Sequence, residues 1–251
     1  MCPTVEPLED LDALSADSAV AVGSELVTGR SSSRAVTNEL LDVLRSGRWR
    51  PRAWVRFVAR AAQRSVQQAV LHPRALAEVT ALHAAFALAR PRSRWVVVSW
   101  ALAASHLGML EDQRSLGWAN TITLFRANLP AVTDRRSTAL LALGTDLADG
   151  RLARALGTTS PFGAAADSLA DAAFWTWYAH RHEPVPAVRA VALIAWVAPV
   201  AAVTAVSVGK GAMVDPPRPA AVRPAAALQV ALALRALVRT VRYRRSARGR
   251  E

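Results

Sequence analysis

The sequence predicts an all-α protein, folded as a multi-pass transmembrane helical bundle with an amphipathic interfacial helix near its N-terminus. Of its 251 residues 52% are hydrophobic but only 6% aromatic, a composition that favours helices rich in Ala, Leu and Val. The formal charge of +12 comes almost wholly from Arg, since Lys210 is the only lysine. A chain can be both highly charged and highly apolar if its arginines lie at the edges of a membrane.

Residues 1–35 are predicted to form a mobile tail, because they are acidic and then rich in Ser and Gly, with no sustained apolar period. The first seventeen residues lack the basic start and apolar centre of a signal peptide, so we expect the N-terminus to lie in the cytoplasm. Cys2 is the only cysteine, which excludes a disulfide framework and a structural zinc site built on thiolates.

Residues 36–72 are predicted to form basic amphipathic juxtamembrane helices. After Pro51, arginines recur every fourth residue, at Arg52, Arg56, Arg60 and Arg64. This spacing places them on one face of a helix, where each gains about 1 kcal/mol near anionic lipid. We prefer a helix in the cytoplasmic interface to the alternative of a solvated or nucleic-acid-binding helix, so nucleic acid is not an expected partner.

Residues 73–241 are predicted to form a membrane-embedded domain, followed by a basic tail at 242–251. Its apolar segments are Ala75–Ala89, Trp95–Leu110, Ala164–Ala179, Val185–Val208 and Pro224–Val241. A span needs about 20 apolar residues, a length that only Val185–Val208 reaches comfortably, so the number of spans stays open. Arg235, Arg239 and Arg242 share one face of the last segment, for which we prefer an interfacial position. A soluble helical protein is the alternative to the bundle.

Aromatic residues support the membrane interpretation. Trp and Tyr rings favour the headgroup layer, and several lie at or near the ends of apolar segments: Trp95, Trp100, Trp175, Trp177 and Tyr178. The histidines at positions 72, 83 and 106 stand alone, so we expect each to be a hydrogen-bonded helix residue and not a metal ligand. His180 and His182 are expected in a polar loop, which we prefer to the alternative of a metal site.

Acidic residues recur at helical spacing on both sides of a predicted turn. Asp146, Asp149, Gly150 and Ala153 share one helix face, and Gly163, Asp167 and Asp171 share another. Turn-forming residues at 155–162 can reverse the chain. The two stripes are therefore expected to meet, bringing the four carboxylates together.

Such a cluster needs cations, because like charges repel and each acidic group near the bilayer is costly. Oxygen ligands favour Mg²⁺ or Mn²⁺, and four carboxylates suit two ions. Two-metal sites stabilise negative charge on transferred phosphates. Gly150 and Gly163 lack a Cβ, so a base and a diphosphate could approach the backbone there.

The whole pattern, D-x2-D-G-x2-A-R-x8-G-x3-D-x3-D over Asp146–Asp171, resembles the signature of the CDP-alcohol phosphotransferase family, also called CDP-alcohol phosphatidyltransferases. The resemblance implies that Asp146, Asp149, Asp167 and Asp171 bind two Mg²⁺ or Mn²⁺ ions and that Asp171 is also the general base. It further implies a cytidine diphosphate pocket lined by Gly150, Ala153, Arg154 and Gly163.

Upstream, Asn120-x2-Thr123-x2-Arg126 looks like the beginning of the family's first core helix. Arg126 is then either a contact to a substrate phosphate or an ordinary arginine at a membrane edge, and the sequence leaves both interpretations open. The resemblance extends over about residues 118–208.

The resemblance implies an Mg²⁺-dependent transferase of phospholipid biosynthesis in the cell membrane, with its active site facing the cytoplasm and a possible homodimer. Its expected partners are a CDP-linked lipid donor, CDP-diacylglycerol being preferred, and a small or lipid alcohol acceptor that the motif does not identify. The reaction would release CMP. The alternative is a non-catalytic membrane scaffold that retains the fold.

Overall fold

The computed structural model describes residues 33–90, 93–214 and 219–248. The predicted tail at 1–35 lies outside the described residues as far as residue 32, and so do residues 249–251 of the basic tail. The described segments are helical, in agreement with the predicted class, and contain no strand. The helices are α1 Ser33–Ser46, α2 Pro51–Leu71, α3 Pro73–Ala89, α4 Arg94–Ser105, a 3-10 turn Leu107–Leu110, α5 Gly117–Val132, α6 Thr138–Ala155, α7 Pro161–His182, α8 Pro186–Lys210 and α9 Pro219–Arg248.

Proline sets the beginning of several helices. The first helical position of α2, α3, α7 and α8 is a proline: Pro51, Pro73, Pro161 and Pro186. A backbone N–H at this position has no hydrogen-bond partner within the helix, so the lack of one in proline costs nothing. The end of α8 uses glycine instead, since Gly211 has a φ of 64°, a left-handed conformation that suits a residue without a Cβ. The positions at which these helices begin and end are therefore determined by the proline and glycine residues at those positions.

The basic stretch after Pro51 forms the predicted helix α2, preceded by α1. Buried Leu41 and Leu44 of α1 pack on Ala53 of α2, with Trp49 and Phe57 beside them. Most other residues of α2 are exposed or half-buried, and Ala53 is its buried residue. The helix also packs toward its C-terminal end, where Ala69 joins the core around Leu107 and Gln68 lies against Gly108. The interfacial location of α2 stays a prediction.

The segment Trp95–Leu110 does not form one long helix. It is divided into α4, of 12 residues, and the 3-10 turn Leu107–Leu110. At 1.5 Å per residue α4 is about 18 Å long, shorter than the hydrocarbon core of about 30 Å. A buried hydrogen-bond network joins α4 to its neighbours, because Ser99 contacts both His83 of α3, at 3.0 Å, and Asn128 of α5, at 3.0 Å.

The largest apolar core is formed by α5 to α9 around the aromatic residues of α7. Phe174 and Trp175 are fully buried, and they pack with Trp196 of α8 and Leu232 of α9. Tyr178 is 2% exposed and its hydroxyl donates to the Arg136 carbonyl at 2.8 Å. Trp175 and Tyr178 are therefore core residues that do not face lipid, and their position at the headgroup layer stays a prediction.

Only α8, among the helices of the described ranges, is long and apolar enough to cross a membrane. It corresponds to the predicted segment Val185–Val208, and most of its residues are not buried within the protein. The multi-pass arrangement stays a prediction.

The arginines of α9 have a role that the sequence interpretation missed. Arg235 and Arg239 both donate to the carboxylate of Glu183, which lies between α7 and α8 and is 3% exposed. Their face is therefore turned toward the protein. This pairing fixes α9 against the bundle and disfavours the interfacial position that we preferred for this helix.

Candidate active site

The two acidic stripes meet as expected. Asp146 and Asp149 lie on α6, Asp167 and Asp171 on α7, and the turn between these helices is short. Ser160 caps α7, because its hydroxyl accepts the backbone N–H of Gly163 at 3.1 Å, an arrangement that satisfies one of the free N–H groups at a helix start. The turn and the cap together align the two faces.

A single guanidinium lies among the four carboxylates. Arg126 of α5 is fully buried, and its Nη1 donates to Asp149 Oδ2 at 2.8 Å. Its Nη2 donates to Asp167 Oδ1 and lies 3.5 Å from Asp146 Oδ1. Its Nε lies 3.0 Å from Asp171 Oδ1, without the alignment of a hydrogen bond. Arg126 is thus a common counter-ion of the cluster.

The position of Arg126 decides against one interpretation of the upstream motif, the arginine at a membrane edge, whereas contact to a substrate phosphate stays a prediction. It does not lie at a membrane edge, since its side chain is 0% exposed, and its described partners are carboxylates. The sequence contained a usable signal, because four converging acidic residues require a positive charge. We assigned that charge to metal ions alone and overlooked an arginine on a neighbouring helix.

The rest of the upstream motif supports the same cluster. The Thr123 hydroxyl donates to Asp149 Oδ2 at 2.7 Å, so Asp149 receives hydrogen bonds from two residues of α5 through one oxygen. Asn120 donates to the Leu116 carbonyl at 2.8 Å, and its Oδ1 lies against Gly163. The spacing of three residues between Asn120, Thr123 and Arg126 therefore builds one face of α5 that packs on α6 and α7.

Gln229 is a site residue that the sequence analysis missed. It is 4% exposed on α9, and its Nε2 donates to Asp171 Oδ2 at 2.7 Å. The sequence feature that could have indicated it is a single amide side chain within the apolar segment Pro224–Val241. Burial of an amide without a hydrogen-bond partner is costly, so a partner could have been expected. No local pattern links it to Asp171, because the two residues are 58 positions apart.

The expected nucleotide-binding residues lie beside the cluster on both helices. Gly150, Ala153 and Gly163 are half-buried and Arg154 is exposed. The Arg154 side chain extends along Gly150, with Nη1 3.5 Å from where a Cβ would stand. At Gly163 a Cβ would lie 2.8 Å from Asn120 Oδ1, so this glycine is required for the close contact between α5 and α7. Their role toward a nucleotide stays a prediction.

The carboxylates fit a divalent cation. One oxygen from each of Asp146, Asp149 and Asp167 can be chosen so that all three lie within 4.8 Å of one another, and oxygen ligands suit Mg²⁺ or Mn²⁺. Arg126 contacts each carboxylate through one oxygen, and the second oxygen of Asp149 has no hydrogen-bond donor among the described residues. Asp171 is outside this three-residue group; Gln229 donates to its Oδ2, and Arg126 Nε lies 3.0 Å from its Oδ1.

An apolar cavity of about 460 Å³ lies on the other side of the α5–α7 pair, against α4. Its lining on α7 includes Ala166, Ala170 and Ala173, small residues that leave space between helices. Ala166 and Ala170 immediately precede Asp167 and Asp171, so the cavity and the carboxylates lie on adjacent faces of one helix.

The isolated histidines are hydrogen-bonded, as predicted. One ring nitrogen of each lies within hydrogen-bond distance of a backbone carbonyl in the same helix turn: His72 with Gln68 at 2.9 Å, His83 with Val79 at 2.8 Å and His106 with Leu102 at 2.7 Å. Within the described part of the chain, the Asp146, Asp149 and Asp167 group is the metal-ligand cluster that the geometry forms.

Fold and site together define a helical protein with a partly buried carboxylate cluster suited to divalent cations. Residues 135–243 match the family model for CDP-alcohol phosphatidyltransferase, which confirms the resemblance of the motif. The match contains all four aspartates but not Arg126. Searches of curated proteins and of solved structures gave no match.

The family match carries general consequences. The family transfers a phosphate-linked group from a CDP-alcohol to an acceptor alcohol, is embedded in membranes and is typically metal-dependent. The chain is therefore expected to act as a transferase.

Proposed function

We propose that this protein transfers a phosphatidyl group from CDP-diacylglycerol to an acceptor alcohol at two Mg²⁺ or Mn²⁺ ions, releasing CMP, in phospholipid biosynthesis. The observation that supports the proposal most directly is the convergence of Asp146, Asp149, Asp167 and Asp171 around Arg126. A scaffold would have no need of this cluster, since buried charges destabilise a fold unless they are well paired.

Asp146, Asp149 and Asp167 would hold the cations, with Asp171 completing the set from α7. When bound, the cations would act as Lewis acids on the diphosphate and offset negative charge on the attacking and leaving oxygens. Thr123 and Arg126 both donate hydrogen bonds to Oδ2 of Asp149. These two bonds prevent the carboxylate from rotating and so fix the direction of its other oxygen, Oδ1. Such support determines the precision of a metal site.

Asp171 would accept the proton of the acceptor hydroxyl. The acceptor oxygen then forms a bond to the β-phosphorus while the anhydride bond to CMP breaks, and CMP leaves with the bonding electron pair. Gln229 holds Oδ2 of Asp171 at 2.7 Å, which leaves Oδ1 as the oxygen that receives the proton. Burial disfavours the ionised form that a base requires, and Arg126 Nε, 3.0 Å from Oδ1, offsets part of that cost.

A lipid-linked donor is supported by the apolar space next to the cluster. The cavity of about 460 Å³ is lined by apolar residues of α4, α5 and α7, so an acyl chain could be buried close to the α7 aspartates. Arg154 beside Gly150 is an exposed cation available for the donor phosphates, since a guanidinium forms paired hydrogen bonds with phosphate oxygens.

The test is CMP release from CDP-diacylglycerol by the full-length protein in detergent or nanodiscs with Mg²⁺, offering glycerol phosphate, inositol phosphate and phosphatidylglycerol in turn. Asp171→Asn keeps the shape of the side chain but removes the base, and should slow release by about 10²- to 10⁴-fold. Folded wild-type protein that releases no CMP with any of these acceptors would favour the scaffold alternative. Lipid analysis of cells lacking the protein would identify the acceptor.

A further inference from the structure

A second charged site lies at the opposite end of α6 and α7 from their connecting turn. A polar cavity of about 260 Å³ is lined there by four arginines together with His182, Glu183 and Pro184; the arginines are Arg136, Arg181, Arg189 and Arg239. His182 is about three turns beyond Asp171 along α7, a rise of about 16 Å. The cavity is therefore separate from the carboxylate cluster.

The positive charge of this cavity is only partly compensated. Glu183 pairs with Arg239, at 3.1 Å, and Asp134 pairs with Arg181. Arg189 donates only to the backbone carbonyl of Glu183. The Arg136 side chain has no hydrogen bond or ion pair with any residue in the described ranges. Two guanidinium groups thus face the cavity without a carboxylate partner.

The wall of the cavity is fixed in place by the protein. The Glu183 side chain is 2% exposed and holds both Arg235 and Arg239, while the Val185 N–H donates to its Oε1 at 3.2 Å. The His182 side chain is 9% exposed, and its Nε2 has no hydrogen bond although Asp134 Oδ1 is 3.3 Å away. These contacts pre-organise a cationic pocket and lower the entropic cost of binding an anion.

The helix that begins at this cavity indicates where the anion comes from. α8 begins at Pro186, and its first turns expose apolar side chains, including Val191 at 55%, Leu193 at 48% and Ile194 at 62%. It is also the helix whose length and composition suit a membrane crossing. A phosphate in the cavity would therefore lie at the end of an outward apolar surface on which acyl chains can pack.

We propose that this cavity binds the phosphate group of an anionic phospholipid, at a site distinct from the carboxylate cluster. Arg136 and Arg189 supply the uncompensated charge, and Arg239, held by Glu183, supplies a guanidinium of fixed orientation. The acyl chains lie along the exposed face of α8. Arginine suits this role because its planar fork matches two phosphate oxygens.

The test is native mass spectrometry of the full-length protein in detergent, with phosphatidylglycerol, phosphatidylcholine or inorganic phosphate added at equal concentration. Wild type should retain phosphatidylglycerol in preference to phosphatidylcholine, and the double variant Arg136→Gln, Arg189→Gln should retain about tenfold less. Arg135→Gln is the matched control, because Arg135 is the exposed neighbour of Arg136 but does not line the cavity.

Three results would overturn the proposal. Equal retention of the two lipids would show that the cavity does not discriminate by headgroup charge. An equal loss of phosphatidylglycerol retention in Arg135→Gln would show that the lipid responds only to the overall positive charge. Binding of inorganic phosphate with the same dependence on Arg136 and Arg189, but none of the lipid, would indicate a soluble anion as the ligand.

Discussion

The guanidinium of Arg126 lies 2.8 Å from the carboxylate of Asp149, and both side chains are almost completely buried, at 0% and 6% exposure. A buried ion pair adds little net stability when complete, but removal of one partner leaves an uncompensated charge. Here one arginine faces four carboxylates, so the penalty for its loss falls on the whole cluster. The stability of the core thus depends on the same residues as the proposed chemistry.

Replacement of Arg126 by Gln should lower the free energy of unfolding by about 3–5 kcal/mol in the presence of a chelator, because the carboxylates lose their counter-ion. Thermal or chemical denaturation of the detergent-solubilised protein measures this loss. Mg²⁺ or Mn²⁺ should recover part of it, so the shift of Tm on adding the cation should be larger in the variant than in wild type.

The double variant Arg126→Gln, Asp149→Asn provides the control for this prediction. It removes one negative and one positive charge, and residues in direct contact are expected to couple in a double-mutant cycle. Its stability should therefore exceed that of Arg126→Gln alone. An Arg126→Gln protein as stable as wild type under chelation would contradict the role of Arg126 as counter-ion.

The helical class and the meeting of the two acidic stripes could be predicted from sequence because both rest on local information. Spacings of three and four residues place Asp146 with Asp149 and Asp167 with Asp171, and the turn residues between the stripes bring the helices together. The role of Arg126 could be recognised only from tertiary packing, since an arginine can snorkel to a membrane edge or be buried by a partner. Gln229 and Glu183 were missed for the same reason.

The number of spans could not be predicted because apolar segments serve two purposes in this chain. Val185–Val208 corresponds to α8, whose side chains are largely exposed, whereas Phe174 and Trp175 of the preceding segment are fully buried in the core. Hydrophobicity reports removal from water and does not distinguish lipid from protein as the apolar surroundings. Arginines are equally ambiguous, because Arg235 and Arg239 could have faced lipid headgroups but pair with Glu183 inside the protein.

Gln229→Met should reduce kcat for CMP release by about tenfold with a smaller effect on KM, since it removes the hydrogen bond to Asp171 Oδ2 at nearly constant side-chain volume. Steady-state kinetics with varied CDP-diacylglycerol measures both constants. Val230→Ala is the matched control on the same helix, because Val230 is 44% exposed. Unchanged kcat in a folded Gln229→Met protein would show that Asp171 needs no positioning by α9.

The two motif glycines should respond differently to alanine. In Gly163→Ala the new Cβ would lie 2.8 Å from Asn120 Oδ1, so the protein should lose about 1–3 kcal/mol of stability. In Gly150→Ala the nearest atom is Arg154 Nη1 at 3.5 Å, an ordinary contact, and a helical alanine is favoured over glycine. Stability should then be kept or raised, while CMP release should fall if the donor approaches the backbone there. Equal stability losses would contradict the packing difference.

Removal of divalent cations should stop CMP release and lower Tm, and Mg²⁺ or Mn²⁺ should restore both. The three oxygens within 4.8 Å of one another come from Asp146, Asp149 and Asp167, and binding to the folded state alone raises stability by mass action. Differential scanning fluorimetry with and without EDTA measures the shift. Asp146→Asn should show a smaller cation-induced rise in Tm than wild type, and an identical rise would place the cation elsewhere.

Acid should weaken the attachment of α9 through Glu183. Burial acts to raise the pKa of Glu183, but hydrogen bonds from Arg235, the Val185 N–H and Arg239 hold it below its usual value of 4.5. A group whose pKa is lower in the folded state stabilises the protein above its unfolded pKa, and that contribution is lost as pH falls through the folded value. Glu183→Gln should therefore be less stable than wild type by about 1–3 kcal/mol at pH 7, and the difference should narrow below pH 4.5.

Denaturation of wild type and Glu183→Gln at a series of pH values tests this dependence. Asp134→Asn is the matched control, because Arg181 lowers the pKa of Asp134 chiefly by hydrogen bonding, but the pair is exposed and contributes little to stability. The control should thus differ little from wild type at any pH. A Glu183→Gln deficit that stays constant down to acid pH would show that the loss comes from packing and not from the ionised carboxylate between Arg235 and Arg239.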